Sequence, residues 1–213
     1  MTTHTWIDDL LSTLGTRRIR AWSPPSDTDL ACLATILGGE LPDEYRYFLQ
    51  RYGGVMLGDE DSLVKAPLGE PCPWGSLVSP EMFYPLLRID PYSIEEQQRT
   101  YLARLPRGVL PIADDPGGNQ VCLDVAGAFP GTVWFWDHEQ RWFRDHFTGS
   151  FEEASSKLEA AGIDARRFSV HDIIRAWARL HANEFDRPSD YMGMYRLAPT
   201  FGDFLRSLQK VPT

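Results

Sequence analysis

Between Val109 and Phe147 short β-prone runs alternate with dense turn chemistry, and this segment limits the possible folds more than any other. Val109-Leu110-Pro111-Ile112-Ala113 runs into Asp114-Asp115-Pro116-Gly117-Gly118-Asn119, a stretch of residues that favour turns. Gln120 to Val125 then alternates polar and apolar, and Phe129-Pro130-Gly131 forms a second turn. Thr132 to Trp136 is β-branched and aromatic, Asp137-His138-Glu139 turns again, and Trp142-Phe143 is expected in a last strand. Consecutive strands joined by short turns predict an antiparallel meander.

Helix-start signals surround this segment. Thr5-x-x-Asp8, Ser26-x-x-Asp29, Ser93-x-x-Glu96, Ser150-x-x-Glu153, Ser169-x-x-Asp172 and Thr200-x-x-Asp203 each place a hydroxyl before an acid three residues on. The hydroxyl accepts from an orphan backbone N–H, and the acid suits the first turn. Gly15, Gly38-Gly39, Gly53-Gly54 and Gly162 supply stops, and Pro42 reads as a first-turn proline. Val55–Leu57 and Leu63-Val64 predict two short strands around Asp59-Glu60-Asp61, whereas four prolines between Pro67 and Pro80 predict a loop. Helices on either side of an antiparallel sheet make the expected class α+β.

The chain has 213 residues, 43% of them hydrophobic, with 7 Trp, 8 Tyr and 11 Phe, enough for a large core. Its formal charge of −9 argues against binding to phosphate backbones. Residues 24–90 hold 11 acids and 4 bases, net −7, so the acidity is concentrated in one third of the chain. Asp59, Glu60 and Asp61, with the acidic turn Asp114-Asp115, are the candidate partner-binding residues. A solvated, solubilising face is the plainer reading of this charge, and a surface that steers a basic partner the sharper one. Cys32, Cys72 and Cys122 are too sparse and too far apart for a disulfide framework or a zinc site, so free thiols in a reducing cytoplasm are expected. The N-terminus lacks a signal-peptide pattern, and no apolar run approaches a membrane span.

Catalytic patterns are weak. Asp137-His138-Glu139 offers a base and a metal ligand, but no second His stands at i+4. Asp114, Asp115 and Asn119 resemble a fragment of a calcium loop without its ordered alternation, and a hairpin turn accounts for them. There is no Gly-x-Ser-x-Gly elbow and no Walker loop. The expectation is a non-catalytic protein with no cofactor and no metal. A hydrolase using Asp137, His138, Glu139 or Asp114 is the less favoured alternative.

The order of four blocks resembles the SUKH superfamily. Leu41-Pro42-Asp43-Glu44-Tyr45-Arg46-Tyr47-Phe48-Leu49, closing on Gly53-Gly54, is similar to that family's helix motif. Leu110 to Asp114 with Gly117-Gly118-Asn119 and Val121 to Asp124 is similar to its central hairpin. Thr132 to Glu139 is similar to the strand and turn that follow, and Leu197 to Leu205 to the terminal helix. Tyr52 departs from the Asn that commonly precedes the glycine pair. The resemblance implies a single SUKH-like domain over residues 1–213, with a core over 26–210. The stretch at about 148–196 departs from it: it is longer than the connection expected there, holds two capped helices, and reads as a helical insertion. The superfamily includes fungal cell-wall-assembly regulators and many bacterial immunity proteins that bind polymorphic toxins, often nucleases. The implied role is therefore protein binding, to a basic toxin domain or, alternatively, as a regulatory scaffold. These motifs are fold signatures, so no catalytic residue is carried over.

Overall fold

Ser26 caps its helix as its chemistry allows. In the computed structural model, which describes residues 4–18, 23–72, 75–86, 90–101, 104–138, 156, 159–160, 191 and 193–212, Ser26 Oγ accepts from the Asp29 N–H at 3.2 Å. Asp29 Oδ2 accepts in return from the Ser26 N–H at 2.9 Å. This capping box starts α2 (Asp27–Leu37), which Gly38 ends in the left-handed conformation. Ser93 caps α4 (Ile94–Thr100) and Thr200 caps α5 (Phe201–Ser207), both through the backbone N–H three residues on.

Two helix starts differ from expectation. The N-cap of α1 (Thr5–Leu14) is His4, with no side-chain cap bond, and Thr5 is already helical. Pro42 is the N-cap of α3 (Asp43–Tyr52) rather than its first residue, and its carbonyl accepts from the Arg46 N–H at 2.9 Å. The helix expected from Ser169 and the strand at Trp142-Phe143 lie outside the described residues; of the helix expected from Ser150, residues 156 and 159–160 are described, and they are helical. By its internal contacts the chain forms two compact units, residues 1–137 with 194–213 and residues 138–193. Every element named here belongs to the first.

The expected meander is present as β5 (Val109–Asp114), β6 (Gln120–Asp124) and β7 (Val133–Trp136), all antiparallel. A strand not expected from the sequence, β8 (Met194–Ala198), pairs with β7. β5, β6 and β7 are buried at nearly every position, so their sheet is covered on both faces. The polar alternation of β6 therefore does not mark a solvent face. Gln120 is buried and accepts from the Tyr84 hydroxyl at 2.7 Å. Buried Asp124 accepts from the N–H groups of Gly127 and Phe129 at 2.6 and 2.8 Å, which locks the β6–β7 turn.

The proline-rich stretch is a hairpin, not a loop. β3 (Ser62–Cys72) includes Pro67 and Pro71 and pairs with β4 (Gly75–Val78) on one side and β9 (Gln209–Pro212) on the other. The β3–β4 register shifts between Pro67 and Cys72, an irregularity of the kind that lets a strand hold a residue with no N–H to donate. The short strands β1 (Thr16–Arg18) and β2 (Val55–Leu57) form a further antiparallel pair.

The helices cover the sheets with an aromatic core. Phe48 of α3 lies 4.8 Å from the Phe83 ring and 5.4 Å from Phe201 of α5, and Tyr45 meets Phe201 edge-on at 5.0 Å. Ile7, Leu11 and Leu14 of α1 and Leu30, Leu33 and Leu37 of α2 join the same cluster. The class is α+β, as the element order predicts.

Candidate functional site

Hydrogen bonding along residues 81–84 joins sheets that otherwise look separate. The Leu57 N–H donates to the Glu81 carbonyl at 3.0 Å, and the Phe83 N–H to that of Val55 at 2.8 Å. On the other side the Glu81 N–H donates to the Asp114 carbonyl at 2.9 Å, and the Tyr84 N–H to that of Ile112 at 2.9 Å. This segment thus runs antiparallel between β2 and β5. Leu57, Glu81 and Asp114 become neighbours at one end of the array, spanning about 10 Å over two strand spacings.

The turns that follow Leu57 and Asp114 are the two acidic turns picked out in the sequence. Asp59, Glu60, Asp61, Asp114 and Asp115 therefore lie at the same end of the array as Glu81, a residue the sequence did not single out. Only the pairing register reveals Glu81, because it lies far from both turns along the chain.

The six acids are not equivalent. Asp59 and Ser62 bridge across a two-residue turn made of Glu60 and Asp61. Gly58 leads into this turn at φ 89°, and a Cβ there would sit 2.6 Å from the Ser62 carbonyl. Asp59 Oδ1 accepts from Ser62 Oγ at 2.5 Å and from the Asp61 N–H at 3.2 Å, while Oδ2 pairs with Lys210 Nζ at 2.6 Å. The bond from Lys210, followed by that from Ser62, holds its carboxyl down at about 2. Asp59 is thus committed to folding the turn and tying down β9, whereas Glu60 and Asp61 project into solvent.

Asp115 closes its own turn. Its Oδ1 accepts from the N–H groups of Gly117 and Asn119 at 2.8 and 2.9 Å, and its Oδ2 from the Asn119 side chain at 3.0 Å. These bonds identify the Asp114–Asn119 segment as a hairpin turn. Asp114 is half-buried and accepts from the Met82 N–H at 3.1 Å. Burial pushes its carboxyl up to about 6 against the pull of that bond, and Glu81 and Asp115 add repulsion.

The other residues noted in the sequence do not join this group. Asp137 is buried directly after β7, His138 is half-buried, and Glu139 lies outside the described residues. Among the described residues no cluster of His, Cys, Asp and Glu is arranged to hold a metal ion. Cys122 is fully buried in β6, where burial pushes its thiol up, and Cys32 is exposed on α2. Among the described residues no helix is long and apolar enough to cross a membrane.

Tyr52, the departure from the motif, has a local role. Asp8 of α1 accepts from the hydroxyls of Tyr52 and Tyr47 at 2.6 and 2.7 Å and from Arg51 Nε at 3.0 Å. Burial raises the Asp8 carboxyl, but the bonds from Tyr52, Tyr47 and Arg51 outweigh it and leave the group below its ordinary value. Burial, followed by the bond to Asp8, pushes the Tyr52 hydroxyl up to about 12.

Comparison with known proteins agrees with the resemblance over the first three motif blocks. The model of the SMI1 / KNR4 family (SUKH-1) matches residues 24–157. An SPbeta prophage-derived uncharacterized protein, YokK, of Bacillus subtilis (strain 168) is 35% identical over 143 residues, covering 61% of this chain and 72% of that protein. No solved structure matches the chain significantly. With the family model covering more than half of its length, the chain belongs to the SMI1 / KNR4 family (SUKH-1).

Proposed function

We propose that the protein is a non-catalytic immunity protein that binds a toxin domain, a basic nuclease, and neutralises it by occupying its cleft. The observation that carries this reading is the placement of two acidic turns and Glu81 at the same end of the array in a chain of this family. A nuclease cleft is built to hold phosphate and therefore presents positive charge. An opposing acidic surface steers encounter and fixes register. The relative from Bacillus subtilis is bacterial, which fits the branch of the superfamily that contains immunity proteins. We also propose that the chain works in the cytoplasm as one SUKH-like domain, with residues of about 148–196 as an elaboration of it.

The test begins with the neighbouring genes. A large secreted protein with a variable C-terminal domain is expected next to this one. Co-expression should protect cells from that domain, and the two should co-elute from a sizing column. Within the acidic end, the Glu60→Gln/Asp61→Asn variant should slow association at low salt by about three- to tenfold, with the difference shrinking as salt rises. Failure to protect together with failure to form a complex would end the immunity reading. An association rate unchanged at every salt concentration would remove this end of the molecule from the interface.

A further inference from the structure

A second feature lies elsewhere on the same unit. Pro24, Pro25, Leu33 and Ile36 on the α2 side face Leu86 and Glu95 across a groove of about 270 Å³. Ile36 is 67% exposed, the most of any large hydrophobic side chain described. Glu81 belongs to the acidic end, and Leu86 lies five residues further along the chain, so the groove and the acidic turns can be altered separately.

The groove holds one polar anomaly. Glu95 Oε2 is buried and has no hydrogen-bond partner. Its neighbour Glu96 pairs with Arg99, and Asp29 on the opposite wall serves the Ser26 cap. Glu95 has no such engagement. A carboxylate oxygen shielded from water and left unbonded is costly, and an arriving donor removes that cost. Apolar walls that end at a carboxylate suit a side chain with an aliphatic stem and a cationic head. Proline and isoleucine surfaces accept a flat guanidinium, whose charge the Glu95 carboxylate complements.

We infer that this groove is a docking pocket for an arginine side chain of a protein partner, with Glu95 as the acceptor and Ile36 as the apolar wall. The inference builds on the binding-protein reading and adds an anchor of the kind that dominates interfaces, a desolvated arginine in a pocket. The acidic turns would set the rate of encounter and the groove the lifetime of the complex.

The test titrates acetyl-Gly-Arg-Gly-amide into the full-length ¹⁵N-labelled protein at low ionic strength and follows amide shifts. The same peptide with citrulline in place of arginine is the neutral control. The arginine peptide should shift α2 and α4 residues around Ile36 and Glu95, and citrulline should not. Glu95→Gln keeps the shape and should weaken binding at least about fivefold, and Ile36→Ser should weaken it as well. Circular dichroism melts of both variants establish that they fold. Equal shifts with citrulline, shifts confined to residues 59–61 and 114–115, no shift at all, or unchanged binding by Glu95→Gln would each overturn the inference. If the peptide binds the groove but no toxin partner exists, the groove stands and the immunity reading falls. If a toxin complex forms and Glu95→Gln leaves its dissociation rate unchanged, the groove falls and the immunity reading stands.

Discussion

Asp114 gives the sharpest physical test of the acidic end. Its carboxyl is half-buried beside Glu81 and Asp115 and holds its proton up to about 6, against an ordinary value of 3.8. In the unfolded chain the proton leaves near the ordinary value. Between those two values the folded state binds more protons than the unfolded one, so stability falls as pH rises. The contribution is fully present below 3.8 and lost as pH passes through about 6. The gap corresponds to about 3 kcal/mol, at roughly 1.4 kcal/mol per pH unit, and partial exposure reduces it to about 1–2 kcal/mol. Asp114→Asn keeps an oxygen to accept from the Met82 N–H and removes the charge. The variant should gain about 1–2 kcal/mol at neutral pH and lose the downward slope between about pH 4 and 6. Urea unfolding followed by tryptophan fluorescence across that range measures both quantities. A variant no more stable than wild type at neutral pH, with an unchanged slope, would refute the reasoning. So would an NMR titration that placed the Asp114 carboxyl at its ordinary value.

Other parts of the unit yield further predictions. Tyr45 is buried with no partner for its hydroxyl, so Tyr45→Phe should raise stability by about 1 kcal/mol in chemical denaturation. Asp8→Asn should lower it by about 1–3 kcal/mol, because the carboxylate collects three donors from α3. The depressed Asp8 carboxyl contributes stability that is present above the ordinary value and lost as pH falls through its folded value, so this variant should also show a shallower acid transition. Gly58→Ala should cost about 2 kcal/mol or more in thermal or urea unfolding, since φ 89° and the Ser62 carbonyl both oppose a Cβ.

Much of the fold was legible from local chemistry. Ser26, Ser93 and Thr200 start their helices because a hydroxyl three residues before a free N–H needs no tertiary partner. The meander was legible because turn residues punctuate β-branched runs. What failed depended on distant partners. Thr5 has the composition of a cap, yet the N-cap lies one residue earlier, at His4. The prolines at 67 and 71 read as a loop because their strand is held from outside, by β4 and by β9 from the far end of the chain. Buried Gln120 and Asp124 imitate a solvent-facing alternation, because their partners, Tyr84 and the turn N–H groups of Gly127 and Phe129, are fixed only once the chain has folded. Five acids of the candidate site were visible as turns, and the sixth, Glu81, required the register.

The division of labour among those acids explains why the family motif says little about the partner. Asp115 and Asp124 saturate backbone donors within their own turns, and Asp59 is held by Ser62 and Lys210. A carboxylate engaged in this way cannot turn toward a partner without loosening the fold. The acids that hold the turns together are thus the ones least able to specify what the fold binds. Glu60 and Asp61 sit at the outer corner of a turn whose backbone is fixed by Gly58, Asp59 and Ser62. They can vary without cost to the hairpin. Glu95 lies outside the four motif blocks altogether. On the binding reading proposed above, these positions are free to change while the scaffold stays constant, an arrangement that suits recognition of variable partners.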